Sequence, residues 1–303
     1  GNGTCDLREA ITAANANNNA PVGECPAGVV GANSDFIYFW IGTGTPTINI
    51  TSALPALTER VVIDGSKCQS TRVELNGVGA GAGANGLHVL AGNSAILSMV
   101  INRFQGDGIR LETNGNNVIE NCLLGTDATG TLDRGNARDG VFIANATNNR
   151  IGGALAGQGN VISGNDQVGV EVANGGNNLI QGDDGVDTIT ALGTGDSVIH
   201  GNGGADIITV GDGNSRIFGD ADGDTITAGN GNHFILGAAG DDIIVVGTGN
   251  SVVRGNSGAD RITIAGGNNV VIGDGGISDG TLAVERSNLV DADPGDDGAD
   301  VIS

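Results

Sequence analysis

Gly201-Asn202-Gly203-Gly204-Ala205-Asp206-Ile207-Ile208-Thr209 is followed directly by Val210-Gly211-Asp212-Gly213-Asn214-Ser215-Arg216-Ile217-Phe218. The first nonapeptide has the form G-x-x-G-x-D-x-I-x and the second x-G-x-G-N-x-x-I/V-x, and the two alternate from Gly182 to residue 276. Position eight of the first form is Ile189, Ile208, Ile226, Ile244 and Ile262, with steps of 19, 18, 18 and 18 residues. Position eight of the second is Ile199, Ile217, Ile235, Val253 and Val271, all 18 apart. One inward β-branched residue per nine, between clusters of Gly, Asn and Asp, predicts short strands joined by tight turns. Two nonapeptides then make one turn of a flattened solenoid with a thin core.

Upstream, the same logic holds at a longer and less regular period. Gly108-Ile109-Arg110-Leu111, Gly140-Val141-Phe142-Ile143 and Gly169-Val170-Glu171-Val172 repeat one strand, and Asn117-Val118-Ile119, Asn149-Arg150-Ile151 and Asn178-Leu179-Ile180 repeat another. Alternation turns Ile109, Leu111, Val141, Ile143, Val170 and Val172 inward. The uneven offsets of 32 and 29 residues require insertions such as Gly125–Asn136. The recurring Asn at the turns predict amide side chains bonding from rung to rung. Earlier still, Phe36–Ile41, Thr47–Ile50, Arg60–Ile63 and Val73–Leu75 read as strands.

Asp6 to Asn15 carries the one clear helical pattern, with Leu7, Ala10, Ile11 and Ala14 on one face and Asp6 at the start as a cap. A solenoid's first rung exposes core and strand edges, and this helix is expected to cover them. The organisation expected is an N-terminal cap over 1–35, an irregular parallel β-helix over 36–181, and the regular section over 182–303. Residues 277–294 interrupt the pattern and 295–303 resume it, so the chain is expected to continue in a longer protein.

Composition agrees with a repetitive backbone: 56 of 303 residues are Gly and only 8 are aromatic. Tyr38 and Trp40 are expected to be buried near the cap. The net charge is -22, and residues 182–303 hold 20 Asp or Glu against 4 Arg. That field repels nucleic acid and anionic lipid, so no nucleic-acid partner is expected and divalent metal is the natural counterpart. No apolar run is long enough to span a membrane, and no basic and apolar leader opens the chain, so an exported protein would have lost its signal. The four Cys, all within the first 122 residues, lack the CxxC spacing of zinc or redox sites. Their even number fits disulfides in an oxidising compartment, Cys5 with Cys25 and Cys68 with Cys122.

Cys5-Asp6-Leu7-Arg8-Glu9-Ala10-Ile11, followed by Ala13-Ala14-Asn15 and Cys25, resembles the CSLREA-type cap that opens many exported bacterial right-handed parallel β-helix proteins, with Asp6 where Ser is usual. Leu124-Gly125-Thr126-Asp127-Ala128-Thr129-Gly130 and Gly159-Asn160-Val161-Ile162-Ser163-Gly164-Asn165 are similar to the rungs that follow that cap. The resemblance implies an extracellular or cell-surface location and assigns no chemistry. Residues 182–276 resemble the calcium-binding repeats of RTX proteins, whose nonapeptide is G-G-x-G-x-D-x-U-x. That resemblance implies Ca²⁺ held between successive turns by Asp187, Asp206, Asp224, Asp242 and Asp260, with Asp300 in the resumed repeat, and by nearby carbonyls. The alternate row has Ser197, Ser215, His233, Ser251 and Asn269 at position six, so metal is expected on one edge only.

Physical chemistry supports a cation independently. Rungs about 4.8 Å apart place neighbouring carboxylates where they repel by roughly 3.5 kcal/mol at an effective dielectric of 20. Oxygen donors of irregular geometry suit Ca²⁺ better than Mg²⁺. The competing reading, in which Asp only closes Asx-turns, leaves unexplained why one row always has Asp and the other never does. The function expected is an extracellular, calcium-stabilised structural or adhesive surface protein, self-assembling or bound to other matrix components. Two alternatives stand beside it. A polysaccharide lyase or epimerase would draw on Arg110, Glu112, Arg138 and Asp139 on one outward face, with His88, His200 and His233 scattered and without a partner pattern. An ice-binding solenoid would draw on outward Thr188, Thr190, Thr209, Thr225, Thr227 and Thr263, interrupted by Ile207, Ile243, Val245 and Arg261.

Overall fold

The computed structural model describes residues 4–16, 21–23, 25, 26, 28, 34–67, 70–153, 155, 157–182 and 185–273, with the short strands Leu289–Val290 and Val301–Ile302. The chain divides into two compact units, Gly1–Val170 and Glu171–Ser303, and the described pairings between its named strands are parallel. It is an all-β parallel solenoid with one short helix.

In the first unit three sheets grow side by side, each usually gaining one short strand per turn. One holds Asp35–Tyr38, Val61–Asp64, Ala95–Leu97, Val118–Glu120 and Arg150–Ile151; a second holds Thr47–Asn49, Val73–Asn76, Met99–Asn102, Leu123–Leu124 and Val161–Ile162; the third holds Leu87–Val89, Ile109–Glu112 and Val141–Ala144. Ile109, Leu111, Val141 and Ile143 are wholly buried, as alternation requires. The expected insertion is a turn closed by the antiparallel bridge Thr126–Asp133.

The helix Leu7–Ala16 buries Leu7, Ile11, Ala13 and Ala14. Its start is a reciprocal capping box: the Glu9 N–H donates to Asp6 Oδ1 at 2.8 Å, and the Asp6 N–H donates to Glu9 Oε2 at 3.2 Å. Arg8 donates to the Ser52 and Ala53 carbonyls at 2.7 Å, and Asn15 donates to the Ala56 carbonyl at 2.6 Å, tying the helix to the chain between strands. Cys5 and Cys25 form the expected disulfide. Cys122 does not form the other: its thiol is free and buried, inward-facing beside Met99 and Ile96, while Cys68 lies outside the described residues. Tyr38 and Trp40 also depart from expectation. They are 46 % and 75 % exposed because, with Phe36, they occupy the outward positions of the first strand and its extension, whereas Ile37 and Phe39 take the inward ones.

In the second unit two sheets suffice. Thr188–Ala191, Ile207–Val210, Thr225–Ala228, Ile243–Val246 and Arg261–Ile264 stack in one; Asn178–Gln181, Ser197–Gly203, Arg216–Ala221, Phe234–Ala239, Val252–Ser257 and Val270–Ile272 stack in the other. Register matches the 18-residue period, with Ile208 on Ile226 on Ile244 on Ile262, and Ile217 on Ile235 on Val253 on Val271. All of these are at most 1 % exposed, and a third inward column, Ala191, Val210, Ala228 and Val246, stacks beside them, so the core is built of single columns of small and aliphatic side chains. Outward on the first sheet, Thr190, Thr209, Thr227, Val245 and Thr263 form one column, and Thr188, Ile207, Thr225, Ile243 and Arg261 the other. The interruptions read from the sequence therefore fall within the columns themselves.

Candidate metal centre

Each turn of the form G-x-x-G-x-D, and the 219–224 turn in which Asp222 stands at position four, carries its last Asp into the interior of the edge: Asp206, Asp224, Asp242 and Asp260 are each 1 % exposed and Asp187 is 6 % exposed. One carboxylate oxygen has a structural task. The backbone N–H of each Asp donates to Oδ1 of the Asp one turn later: Asp187 to Asp206 at 2.8 Å, Asp206 to Asp224 at 2.7 Å, Asp224 to Asp242 at 2.8 Å and Asp242 to Asp260 at 3.0 Å. This column of bonds sets the rung spacing and satisfies a buried donor at every turn.

The other oxygen is left for something else. Oδ2 of Asp224 and of Asp242 is buried and accepts no hydrogen bond. Each lies over the first glycine of its own turn, Gly219 or Gly237, where a Cβ would collide with it. The same small space is bounded by the carbonyl oxygen of the next turn's glycine, Gly237 or Gly255, at 2.6 and 2.9 Å from where that Cβ would stand. Glycine is needed there because the space belongs to oxygen atoms. A carboxylate oxygen and a carbonyl oxygen converging without a donor between them form a site for a hard cation. Among the described residues no three His, Cys, Asp or Glu side chains converge, so most of an ion's shell at each turn falls to backbone carbonyls and water.

The electrostatics of the metal-free stack agree. Burial pushes the Asp224 carboxyl up to about 6, with Asp220 and Asp222 adding repulsion. Burial, together with repulsion from Asp260, Asp224 and Asp241, pushes Asp242 up to about 7. Without a cation these groups take up protons close to neutrality.

The opposite edge supplies an internal comparison. Its position-six residues, Ser197, Ser215, His233, Ser251 and Asn269, are buried to a similar degree and make the same bond to the next turn with neutral acceptors. A second column there, Asp196, Asn214, Asn232, Asn250 and Asn268, bonds each backbone N–H to the side chain one turn earlier at 2.7–2.9 Å. The first unit does likewise: Val61, Ser94 and Asn117 donate in succession to Ser94, Asn117 and Asn149, and Phe104 and Asn136 to Asn136 and Asn165. The amides thus bond to backbone N–H groups of neighbouring rungs. Holding rungs together therefore needs one acceptor, which neutral side chains supply at position six of the opposite edge. Asp300, the sixth expected ligand, lies outside the described residues.

Sequence reasoning missed the conformation of position two. Asn202, Asp220, Ala238 and Asn256 have φ of 74, 78, 89 and 71°, the left-handed region that Asn and Asp tolerate, so their recurrence in place of the second consensus glycine was a readable signal. The expected outward cluster is partly a buried network. Asp107 and Asp139 are fully buried, Arg110 pairs with Asp107 at 2.9 Å and Glu112 at 2.7 Å while lying over the Phe142 ring, and His88 meets Glu112 at 2.6 Å. His200 likewise meets Asp220 at 2.9 Å, and Arg138 sits 3.7 Å from Asp107. His88 and His200 have partners that no sequence pattern marked, because turns distant in sequence are adjacent in the stack.

Stacked nonapeptide turns, each offering a buried carboxylate and glycine carbonyls, define the regular section as a cation-binding parallel β-solenoid. Residues 172–198, 191–217, 200–235 and 236–271 match the RTX calcium-binding nonapeptide repeat in four copies, and calcium is the ion that these repeats bind. No curated protein and no solved structure matches the chain. No helix among the described residues is long and apolar enough to cross a membrane.

Proposed function

We propose that the protein is an exported structural scaffold whose second unit is stiffened by calcium, with Asp187, Asp206, Asp224, Asp242 and Asp260 as the carboxylate ligands on one edge. The observation that carries this reading is the buried, unbonded Oδ2 of Asp224 and Asp242 beside glycine carbonyls. The disulfide between Cys5 and Cys25 fits an oxidising environment, and the RTX match fits one rich in calcium. Calcium then works as a folding cofactor: the carboxylates repel until the ion arrives, and the stack becomes rigid afterwards. Far-UV circular dichroism and calorimetric titration test this together. Calcium is expected to bind with release of protons near neutral pH and to raise the unfolding temperature. Full retention of structure after exhaustive chelation, with no heat of calcium binding, would refute it.

Adhesion and end-to-end assembly belong to the same proposal, since parallel rungs present pairing edges to another chain. Light scattering across a wide concentration range in calcium is expected to show association; a monomer throughout would remove assembly and leave the scaffold.

A further inference from the structure

Among the five position-six residues of the edge opposite the aspartates, His233 stands third and alone can change its protonation near neutral pH. It is 2 % exposed. The Ser215 N–H donates to its Nδ1 at 3.4 Å, and its own backbone N–H donates to Ser251 Oγ at 3.0 Å. An acceptor Nδ1 fixes the neutral tautomer with the proton on Nε2, a buried atom whose remaining neighbour is the Gly229 backbone. The Ser and Asn at the other positions accept the corresponding bond with oxygen atoms that stay unprotonated at any physiological pH.

We propose that His233 is an acid-sensitive joint in the calcium-independent edge, where protonation of Nδ1 abolishes the bond to Ser215 and opens the column between its second and third members. The bookkeeping is simple. Imidazolium carries N–H on both ring nitrogens, so Nδ1 ceases to be an acceptor, and the Ser215 N–H is left facing another donor. A buried donor without a partner and a buried positive charge both oppose the closed edge. The charged groups that face the ring are Asp212 and Asp196, both exposed on earlier turns of that edge. Burial outweighs the Gly229 backbone and these two carboxylates, all of which favour the protonated form, and holds the imidazole below its ordinary range.

The sign of the pH effect follows. A histidine held below its unfolded value favours the folded state above that value, and this contribution falls away as pH drops below about 6.5. The aspartate edge without metal behaves oppositely, becoming easier to close as its carboxyls protonate. The two edges therefore answer acid in opposite directions.

The test uses the full chain with calcium saturating, comparing wild type with His233→Asn and His233→Ser, the residues that the column itself uses elsewhere. Unfolding equilibria are measured from pH 8 to 5. Below about pH 6.5 wild type should lose stability relative to both variants by up to about tenfold in the unfolding constant per pH unit, one proton being linked, with no such divergence above pH 7. Should either variant fail to fold, heteronuclear NMR of the wild-type imidazoles gives the answer instead. The His233 ring is expected to show an unprotonated Nδ1 and to titrate below the ordinary histidine range, with loss of the Ser215 amide's protection in parallel. Parallel stability curves, or a His233 ring that titrates normally while the Ser215 amide stays protected, would overturn the proposal.

Discussion

Asp242→Asn separates the two tasks of the position-six carboxylate. Asparagine keeps the Oδ1 that accepts the Asp224 N–H at 2.8 Å and replaces Oδ2 with an amide N–H₂ facing the glycine carbonyls. In the metal-free protein the wild-type carboxyl is raised from 3.8 to about 7, chiefly by burial. At about 1.4 kcal/mol per pH unit, keeping it ionised at pH 8 costs at most ~4 kcal/mol, and about half that once solvent screening at the rim of the turn is allowed for. A group raised in the fold contributes its stability below its unfolded value and loses it as pH climbs through the folded one. Metal-free wild type should therefore be more stable at pH 5 than at pH 8. The variant should be the more stable protein in chelator at pH 8, by ~2 kcal/mol, and the less stable one in saturating calcium, with weaker binding. Urea unfolding with and without calcium reads both halves of this crossing. A variant that ranks the same way in both conditions would show that Oδ2 is not poised for a cation, and the calcium argument from geometry would fall.

Gly219→Ala puts a methyl group into the space shared by Asp224 Oδ2 and the Gly237 carbonyl; it should cost ~2 kcal/mol or more and weaken calcium binding, measurable by denaturation and calorimetry. Ala238→Asn should instead stabilise by ~1 kcal/mol, because position two has φ of 89° there and asparagine occupies the same position at Asn202 and Asn256; urea midpoints compare the two chains. The Cys122 thiol, wholly buried and pushed up to about 12 by burial, should resist alkylation in the native protein and react only on unfolding, as peptide mapping of that site by mass spectrometry would record.

The regular section was legible because its inward residue recurs every 18 positions and its turns admit few side chains. Ile189 to Ile262 and Ile199 to Val271 could be assigned inward from spacing alone, and the structure buries them all. The position-six aspartates were legible by contrast with the alternate row. What the sequence hid was lateral. Which oxygen of Asp224 bonds and which stays open beside the Gly237 carbonyl depends on the turns before and after, 18 residues away in sequence, becoming neighbours. The same cause concealed the partners of His88 and His200. In the first unit the period drifts, so the inward direction of Cys122 was not separable from that of a disulfide partner. Trp40 and Tyr38 are exposed despite their size because strand alternation turns both of them out.

The bond from each aspartate's N–H to the following turn's Oδ1 gives the stack a polarity. Every rung borrows its missing acceptor from its successor and lends one to its predecessor. Shortening the array from the C-terminal side leaves the new last rung with a buried amide hydrogen that nothing receives, a costly orphan. In this buried column, shortening it from the other side strands an oxygen instead, which water or a cation readily satisfies, while the N–H groups of the oppositely directed Asp196–Asn268 column are exposed and can turn to water. Trimmed arrays of equal length are thus predicted to differ in stability according to the end that was cut.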